Sequence, residues 1–437
     1  MTPVARISAA IEVLDDIIDR RRPVADALKD WGLAHRFAGS KDRRAIGDLV
    51  FDALRHRASA AWAADGEDGR AVMLGLLRTH RGLDLAGVER QIAGERFAPA
   101  PLSAGERAAL ADDRLRAAPD HVRGDYPEWL ADELGRVLGE TVVAEMRAMA
   151  EVAPLDLRVN TLKCDADRAA RELSDDLGRT PERPALAPLC LRLPVEPERG
   201  EPHIASTESF LKGHIEIQDL GSQLAAEFAG ARPGMQVLDI CAGGGGKTLA
   251  MAAAMGNHGQ IFAYDSDRRR LAPIHDRLAR AGIRNVQVRA PKPNSDVLDD
   301  LEHRMDLVLV DAPCTGTGTW RRNPDAKWRI RPGSLAERIK DQIAVLDQAA
   351  RYVKVGGRLA YVTCSLLPSE NGDQVAAFLE RHPGFSVADP ASVVAAYEAE
   401  AMVVLGDAVT LLPQGLMMTP LRSGTDGFFV SVMTRRS

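Results

Sequence analysis

Near the start of the chain apolar residues recur at helical spacing. Ile7, Ala10, Ile11, Leu14 and Ile18 fall on one face, as do Ile46, Leu49, Val50, Ala53 and Leu54. This periodicity predicts an all-α region over residues 1–145, with Ser40 as the N-cap of the second of these helices. Around residue 150 the pattern changes. LDLRVNTLK (155–163) and PLCLRLPV (188–195) read as strands flanking the helical stretch ADRAARELSDDLG (166–178), which predicts a small α/β bridging region over 150–212. From residue 213 to 437 short apolar runs alternate with helical stretches: 236–240, 260–264, 285–289, 306–310, 358–363 and 428–433. Such alternation predicts an α/β fold with a doubly wound, mostly parallel sheet and helices on both faces. Ligands of such sheets sit beyond the carboxyl ends of the strands, near the point where strand order reverses.

Composition narrows the class. In 437 residues no apolar run approaches the roughly 18 needed to span a bilayer, so no membrane partner is expected. The net charge of −6 means that any nucleic-acid binding must come from local basic patches. Cys164, Cys190, Cys241, Cys314 and Cys364 form no CxxC pair, which argues for a reducing, cytoplasmic setting and against a metal site.

The strand ends carry the chemistry. The first strand of the main domain runs into Cys241-Ala-Gly-Gly-Gly-Gly-Lys-Thr248, a glycine-rich turn that lets backbone approach a ligand closely. A P-loop would need glycine where Cys241 stands, and the dinucleotide pattern lacks its third glycine. Asp265 ends the next strand, 19 residues after Gly246, where a doubly wound fold places an acid against a ribose. Two later strands deliver Asp311-Ala-Pro-Cys314 and Cys364-Ser365 to the same rim. A lone cysteine after a strand is usually an inert core residue, but two at one rim suggest nucleophilic chemistry. Residues 319–331 add five basic side chains and two tryptophans, a mixture suited to a phosphate backbone and an unstacked base. On these features alone a P-loop-like NTPase and an RNA-binding assembly factor without activity both stay open.

The segments ICAGGGGKT, AYDSDRRRL, DAPCTGTGTWRRNPDAKW, YVTCSLLPSEN and DGFFVS resemble the motifs of the RNA cytosine-C5 methyltransferases. LRVNTLK and GHIEIQDLGSQLAA resemble the segments that precede the catalytic domain in that family, and SKDRRAIGDLVFDALRHR resembles part of a NusB-like helical RNA-binding domain. The resemblance implies a Rossmann-like class I methyltransferase domain over 213–437, an RRM-like bridge over 150–212 and a NusB-like domain over 1–145. It implies S-adenosylmethionine as cofactor, held by Cys241, Ala242, Gly243, Gly244, Gly245, Gly246 and Lys247 with Asp265, Arg270 and Asp311. By the same resemblance Cys364 attacks carbon 6 of the cytosine, Cys314 assists product release, and Asp311 hydrogen-bonds the ring nitrogen. Arg321, Arg322, Lys327, Trp328, Arg158 and Asn160 are the implied RNA contacts. The implied partner is ribosomal RNA, most specifically 16S, with transfer RNA and 23S RNA as alternatives, and the implied state is a monomer. The chain departs from the family pattern twice. Gly243-Gly244 replace Ala-Pro in the cofactor loop, which should loosen the turn, and the acid after the third strand is replaced by Arg289-Ala-Pro-Lys-Pro, leaving Ser295 or Asp296 to substitute.

Overall fold

A computed structural model describes residues 1–94, 96–196, 200, 202–293 and 295–437. The chain forms two compact units. The first comprises Met1–Glu151 together with Trp320–Arg331, the second Val152–Thr319 together with Pro332–Ser437. Among the described residues no helix is long and apolar enough to cross a membrane.

The first unit is helical. Its opening helix, Pro3–Arg20, has proline in the first turn and Thr2 as N-cap, and it buries Ile7, Ala10, Val13, Leu14 and Ile17. The helix Ser40–Arg55 buries Ile46, Val50, Ala53 and Leu54 on the face the periodicity marks. Its N-cap is Gly39 rather than Ser40, which occupies the first helical turn and makes no side-chain cap. Residues 320–331 join this unit as a strap. The Trp328 indole N–H donates to the Leu54 carbonyl at 2.6 Å, the Lys327 ammonium to the Arg55 carbonyl at 2.9 Å, and the Arg55 guanidinium to the Arg321 carbonyl at 2.6 Å.

These bonds correct the expectation for the strap. Lys327 is 1 % exposed and Arg321 5 %, so their polar groups meet protein rather than RNA. Burial pulls the Lys327 ammonium down to about 8, against the attraction of Asp125. Arg322 is half-buried. Basic and aromatic residues in a loop look alike whether they pack inward or face solvent, and here the exposed backbone carbonyls at a helix C-terminus drew them in.

The second unit holds two sheets. The small antiparallel sheet has the order β2-β1-β3, with β1 Leu155–Val159, β2 Cys190–Leu193 and β3 Ile215–Ile217. Its third strand lies past residue 212, where the sequence pattern places the start of the main domain. The expected RNA contacts Arg158 and Asn160 are interior here. The Arg158 Nε donates to Gln218, and the Asn160 amide donates to the carbonyls of Gly213 at 2.8 Å and Ala281 at 2.9 Å. Asn160 therefore fastens the small sheet to its neighbours, and the reading of both residues as RNA contacts is corrected.

The main sheet contains β4 Gln236–Asp239, β5 Gln260–Tyr264, β6 Val286–Arg289, β7 Met305–Asp311 and β8 Val353–Thr363. Beyond these lie β9 Phe385–Val387, β10 Thr410–Leu412, β11 Gly415–Met418 and β12 Phe428–Arg435. The order is β10-β11-β12-β8-β7-β4-β5-β6, with β9 also paired to β12. The five strands β6-β5-β4-β7-β8 run parallel, and β12 closes antiparallel on β8. Successive residues alternate between two cores: Val237, Leu307, Leu309 and Val362 on one face, Leu238, Val308, Val310 and Tyr361 on the other. Strand order reverses between β4 and β7, so the crevice for a ligand opens where the glycine loop and Asp311 emerge.

Trp328→Ala removes both the indole hydrogen bond and packing against the helical core. It should lower the unfolding free energy by about 2–4 kcal/mol, and an unchanged thermal midpoint would show that the strap contributes nothing.

Candidate active site

The cofactor-loop candidates lie between β4 and the helix Gly246–Ala254. Gly245 caps that helix at φ 86°, and a Cβ there would stand 2.6 Å from the Ile274 side chain. Gly243, at φ 49°, meets nothing closer than the Arg270 guanidinium at 3.6 Å, so the loop presents an open backbone cradle. Its turn is not loose. Gly243 N–H donates to Asp265 Oδ2 at 3.0 Å, Gly245 N–H to the Ala242 carbonyl at 2.8 Å, and Arg277 to the Gly244 carbonyl at 2.7 Å. Two side chains from outside the loop thus supply the stiffness that Ala-Pro would have built in. Arg277, one of a run of helix arginines, carries no motif that would have marked it in the sequence.

Asp265, 2 % exposed, accepts from the amides of Gly243 and Asp267 and has Arg270 3.8 Å away. Those bonds leave carboxylate lone pairs for a ribose diol. Backbone cradle and buried acid together fit a nucleoside cofactor. Neither expected substitute for the third-strand acid fills that role through a buried carboxylate. Asp296 is exposed and caps Leu298, Ser295 bridges back to Lys292, and Arg289 turns to Asp300 at 2.9 Å. Cys241 is half-buried, and burial followed by the charges of Asp239, Asp311 and Asp265 pushes its thiol well above the usual range. It stays a thiol.

Strands β7 and β8 pair in parallel with Asp311 opposite Val362. Three residues on, Cys314 lies with its sulfur 3.4 Å from that of Cys364, and both side chains are partly exposed. Asp311 accepts from the Lys247 ammonium at 2.7 Å, and Lys247 also lies 5.2 Å from the Phe428 ring. Burial opposes the Lys247 charge, but Asp311, Cys364 and Asp239 outweigh it and raise its pKa. A fixed ammonium therefore stands in the field of the Cys364 sulfur. The hydrogen bond to Cys364, burial and the charge of Glu370 hold the Cys314 thiol well above the usual range, so Cys314 carries its proton at neutral pH.

Glu370, in the SEN run after TCS, gathers both cysteine loops. It is fully buried, and its carboxylate accepts from Thr315 N at 2.8 Å, from Ser365 Oγ at 2.5 Å, from Gln342 at 3.0 Å and from the Thr315 hydroxyl. Thr315 follows Cys314 and Ser365 follows Cys364, so one carboxylate sets the separation of the two sulfurs. The sequence reading missed it because an acid after a turn usually caps a helix. A second crossing is set by glycines. Gly427 N–H donates to Gly318 O at 2.7 Å, and a Cβ on Gly318 would come 2.1 Å from the Gly427 carbonyl. Among the described residues a cluster of metal-ligating type occurs at His56, His80 and Asp125 in the first unit. There Asp125 already accepts from the Ser59 amide and hydroxyl.

Residues 230–434 match the family model of the 16S rRNA methyltransferases RsmB/F, and residues 126–196 match the ferredoxin-like domain of RsmF/B-like methyltransferases. The chain is 29 % identical over 399 residues to the ribosomal RNA small subunit methyltransferase B of Citrobacter koseri, covering 86 % of this chain and 90 % of that one. It is 30 % identical over 372 residues to the probable ribosomal RNA small subunit methyltransferase B of Bacillus subtilis, covering 84 % and 77 %. Among solved structures, a methyltransferase homolog protein from Pyrococcus horikoshii superposes with a TM-score of 0.58 at 27 % identity, over 72 % of this chain and 97 % of that one. Matches of this extent, on a parallel sheet whose reversal point carries a glycine cradle, place the chain in the 16S rRNA methyltransferase RsmB/F family of S-adenosylmethionine-dependent RNA methyltransferases.

Proposed function

We propose that the chain methylates carbon 5 of a cytosine in small-subunit ribosomal RNA through a covalent adduct with Cys364. The observation that carries this reading is the pair of sulfurs 3.4 Å apart beside the Lys247–Asp311 ion pair. The relatives' names supply the RNA class.

S-Adenosylmethionine, when bound, supplies an electrophilic methyl group on a sulfonium. The residues that would hold it are the backbone of 241–246 and the Asp265 carboxylate. The cytosine must leave its stack to reach the thiols, at a cost of a few kcal/mol that is smallest in a loop or single strand. Carbon 5 of cytosine is a poor nucleophile. Addition of the Cys364 thiolate to carbon 6 forms a C–S bond and pushes the 5,6 electron pair toward carbon 5, which would take the methyl as its bond to the sulfonium sulfur breaks and a neutral thioether leaves. As charge shifts onto the ring nitrogen it takes up a proton, and Asp311, oriented by Lys247, accepts the hydrogen bond of the resulting N–H. Release requires the carbon 5 proton to leave to a water molecule or hydroxide from solvent; its electron pair restores the double bond and expels the Cys364 sulfur. Cys314, held protonated 3.4 Å from that sulfur, donates to it as the C–S bond breaks. The two cysteines thus act in opposite protonation states.

Cys364→Ala should abolish methylation, read by bisulfite sequencing of ribosomal RNA from complemented deletion cells; normal turnover would overturn the assignment. Cys314→Ala should leave a protein–RNA adduct that survives denaturing electrophoresis, and rapid turnover without adduct would remove the acid role. Glu370→Ala should slow transfer about 100-fold by displacing both sulfurs, while calorimetric S-adenosylmethionine affinity stays at the parent value. An unaffected rate would show that Glu370 does not position the pair.

A further inference from the structure

No residue of the segment GHIEIQDLGSQLAA enters the chemistry at the two cysteines. Its strand β3 nevertheless inverts the usual hydrophobic pattern. Glu216 is 2 % exposed, whereas its neighbour Ile217 is 44 % exposed. Burying a carboxylate is costly unless cations or donors fill its lone pairs, and here two arginines do so. Arg277 donates to Glu216 Oε2 at 3.2 Å, and Arg280 donates to Glu216 Oε1. Both arginines belong to the helix Ile274–Ala281.

Beyond Glu216 the two arginines part. The Arg280 guanidinium lies over the Phe210 ring, 3.9 Å from its centroid. The other arm of Arg277 donates to the Gly244 carbonyl at 2.7 Å, and a Cβ on Gly244 would stand 3.2 Å from that arm. One guanidinium therefore bridges a buried acid of the small sheet to the middle of the cofactor loop. The helix that carries it is fixed from the same side. The Lys163 ammonium donates to the Arg280 carbonyl at 2.7 Å and the Asn160 amide to the Ala281 carbonyl at 2.9 Å, filling acceptors at the helix C-terminus. A long arginine side chain loses rotamer freedom when it holds one partner, and a second fixed, charged partner offsets that cost. Gly244 stands where the family pattern has proline, so the stiffness of the loop at that position depends on this arm.

We infer that Glu216 is a positioning residue for the cofactor: it orients Arg277 against the Gly244 carbonyl and makes the small sheet a working part of the cofactor site. The inference rests on the reading that residues 241–246 hold S-adenosylmethionine. Glu216 acts through Arg277. Without the carboxylate charge the arginine arm is released, the four-glycine loop samples more conformations, and the cofactor must order it on binding. Affinity falls while the chemistry at the two sulfurs is untouched.

The test uses the full chain as Glu216→Gln, Arg277→Ala, Arg280→Ala and the Glu216→Gln/Arg277→Ala double variant. Three readouts are taken: calorimetry with S-adenosylmethionine, hydrogen exchange of the 241–249 amides without cofactor, and methyl-transfer kinetics. Glu216→Gln should raise the Kd about tenfold and speed exchange in the loop. It should raise the KM for cofactor and leave kcat within about twofold. Arg277→Ala should match it, and the double variant should add less than about twofold to either single loss. Arg280→Ala breaks the same buried cluster without reaching the loop, so its Kd and loop exchange should stay within about twofold of the parent. Parent affinity and exchange in Glu216→Gln would overturn the inference. Equal losses in Arg280→Ala would overturn it too, leaving the carboxylate a structural anchor only. A parent protein that binds no S-adenosylmethionine while loop exchange follows the stated pattern sinks the cofactor reading alone.

Discussion

Parallel pairing of β7 with β8 fixes where the chemistry stands. Asp311 lies opposite Val362, so the two strands end level and each releases a cysteine within three residues of its last ladder bond. Backbone register brings the sulfurs to the same rim, and the Glu370 carboxylate then draws their loops together through three hydrogen bonds, with a fourth from Gln342. A buried carboxylate is costly unless its lone pairs are filled, and here most of the donors that fill them come from the segments that must be held. The hydrogen bond to Cys364 and burial keep the Cys314 proton in place, and the Glu370 charge adds to them.

The cofactor side obeys a similar economy of parts. Four glycines in succession would leave a turn floppy, since each lacks the steric limits of other residues. Asp265 and Arg277, from neighbouring elements, restrain it by binding its amide and carbonyl groups. Stiffness that a proline would provide within the chain is instead provided across the fold, and one of the restraining groups keeps free lone pairs for a ribose.

Sequence patterns recovered the alternation of the main sheet because apolar strands buried on both faces leave an unambiguous signal. The strands from 236–240 through 428–433 match β4 to β8 and β12 within a few residues. The short strands β9, β10 and β11 escaped notice, being three or four residues long and too brief to show a period. For the site, the glycine loop, Asp265, Asp311 and the cysteine pair were legible through their places after strands. Glu370 and Arg277 were not, because their partners are distant in the chain. The strap was misread for the converse reason: charge and aromaticity were visible, but burial was not.

The sequence alone determined the order of strands and helices, the presence of a glycine turn and a spaced acid, and two thiols following strands. These are local properties, set by side-chain periodicity and backbone freedom. Only the tertiary structure decided that the thiols touch, that one is held protonated, and that Arg321, Lys327 and Trp328 pack inward. Each of those depends on which groups far apart in the chain share a hydrogen bond or lose contact with water.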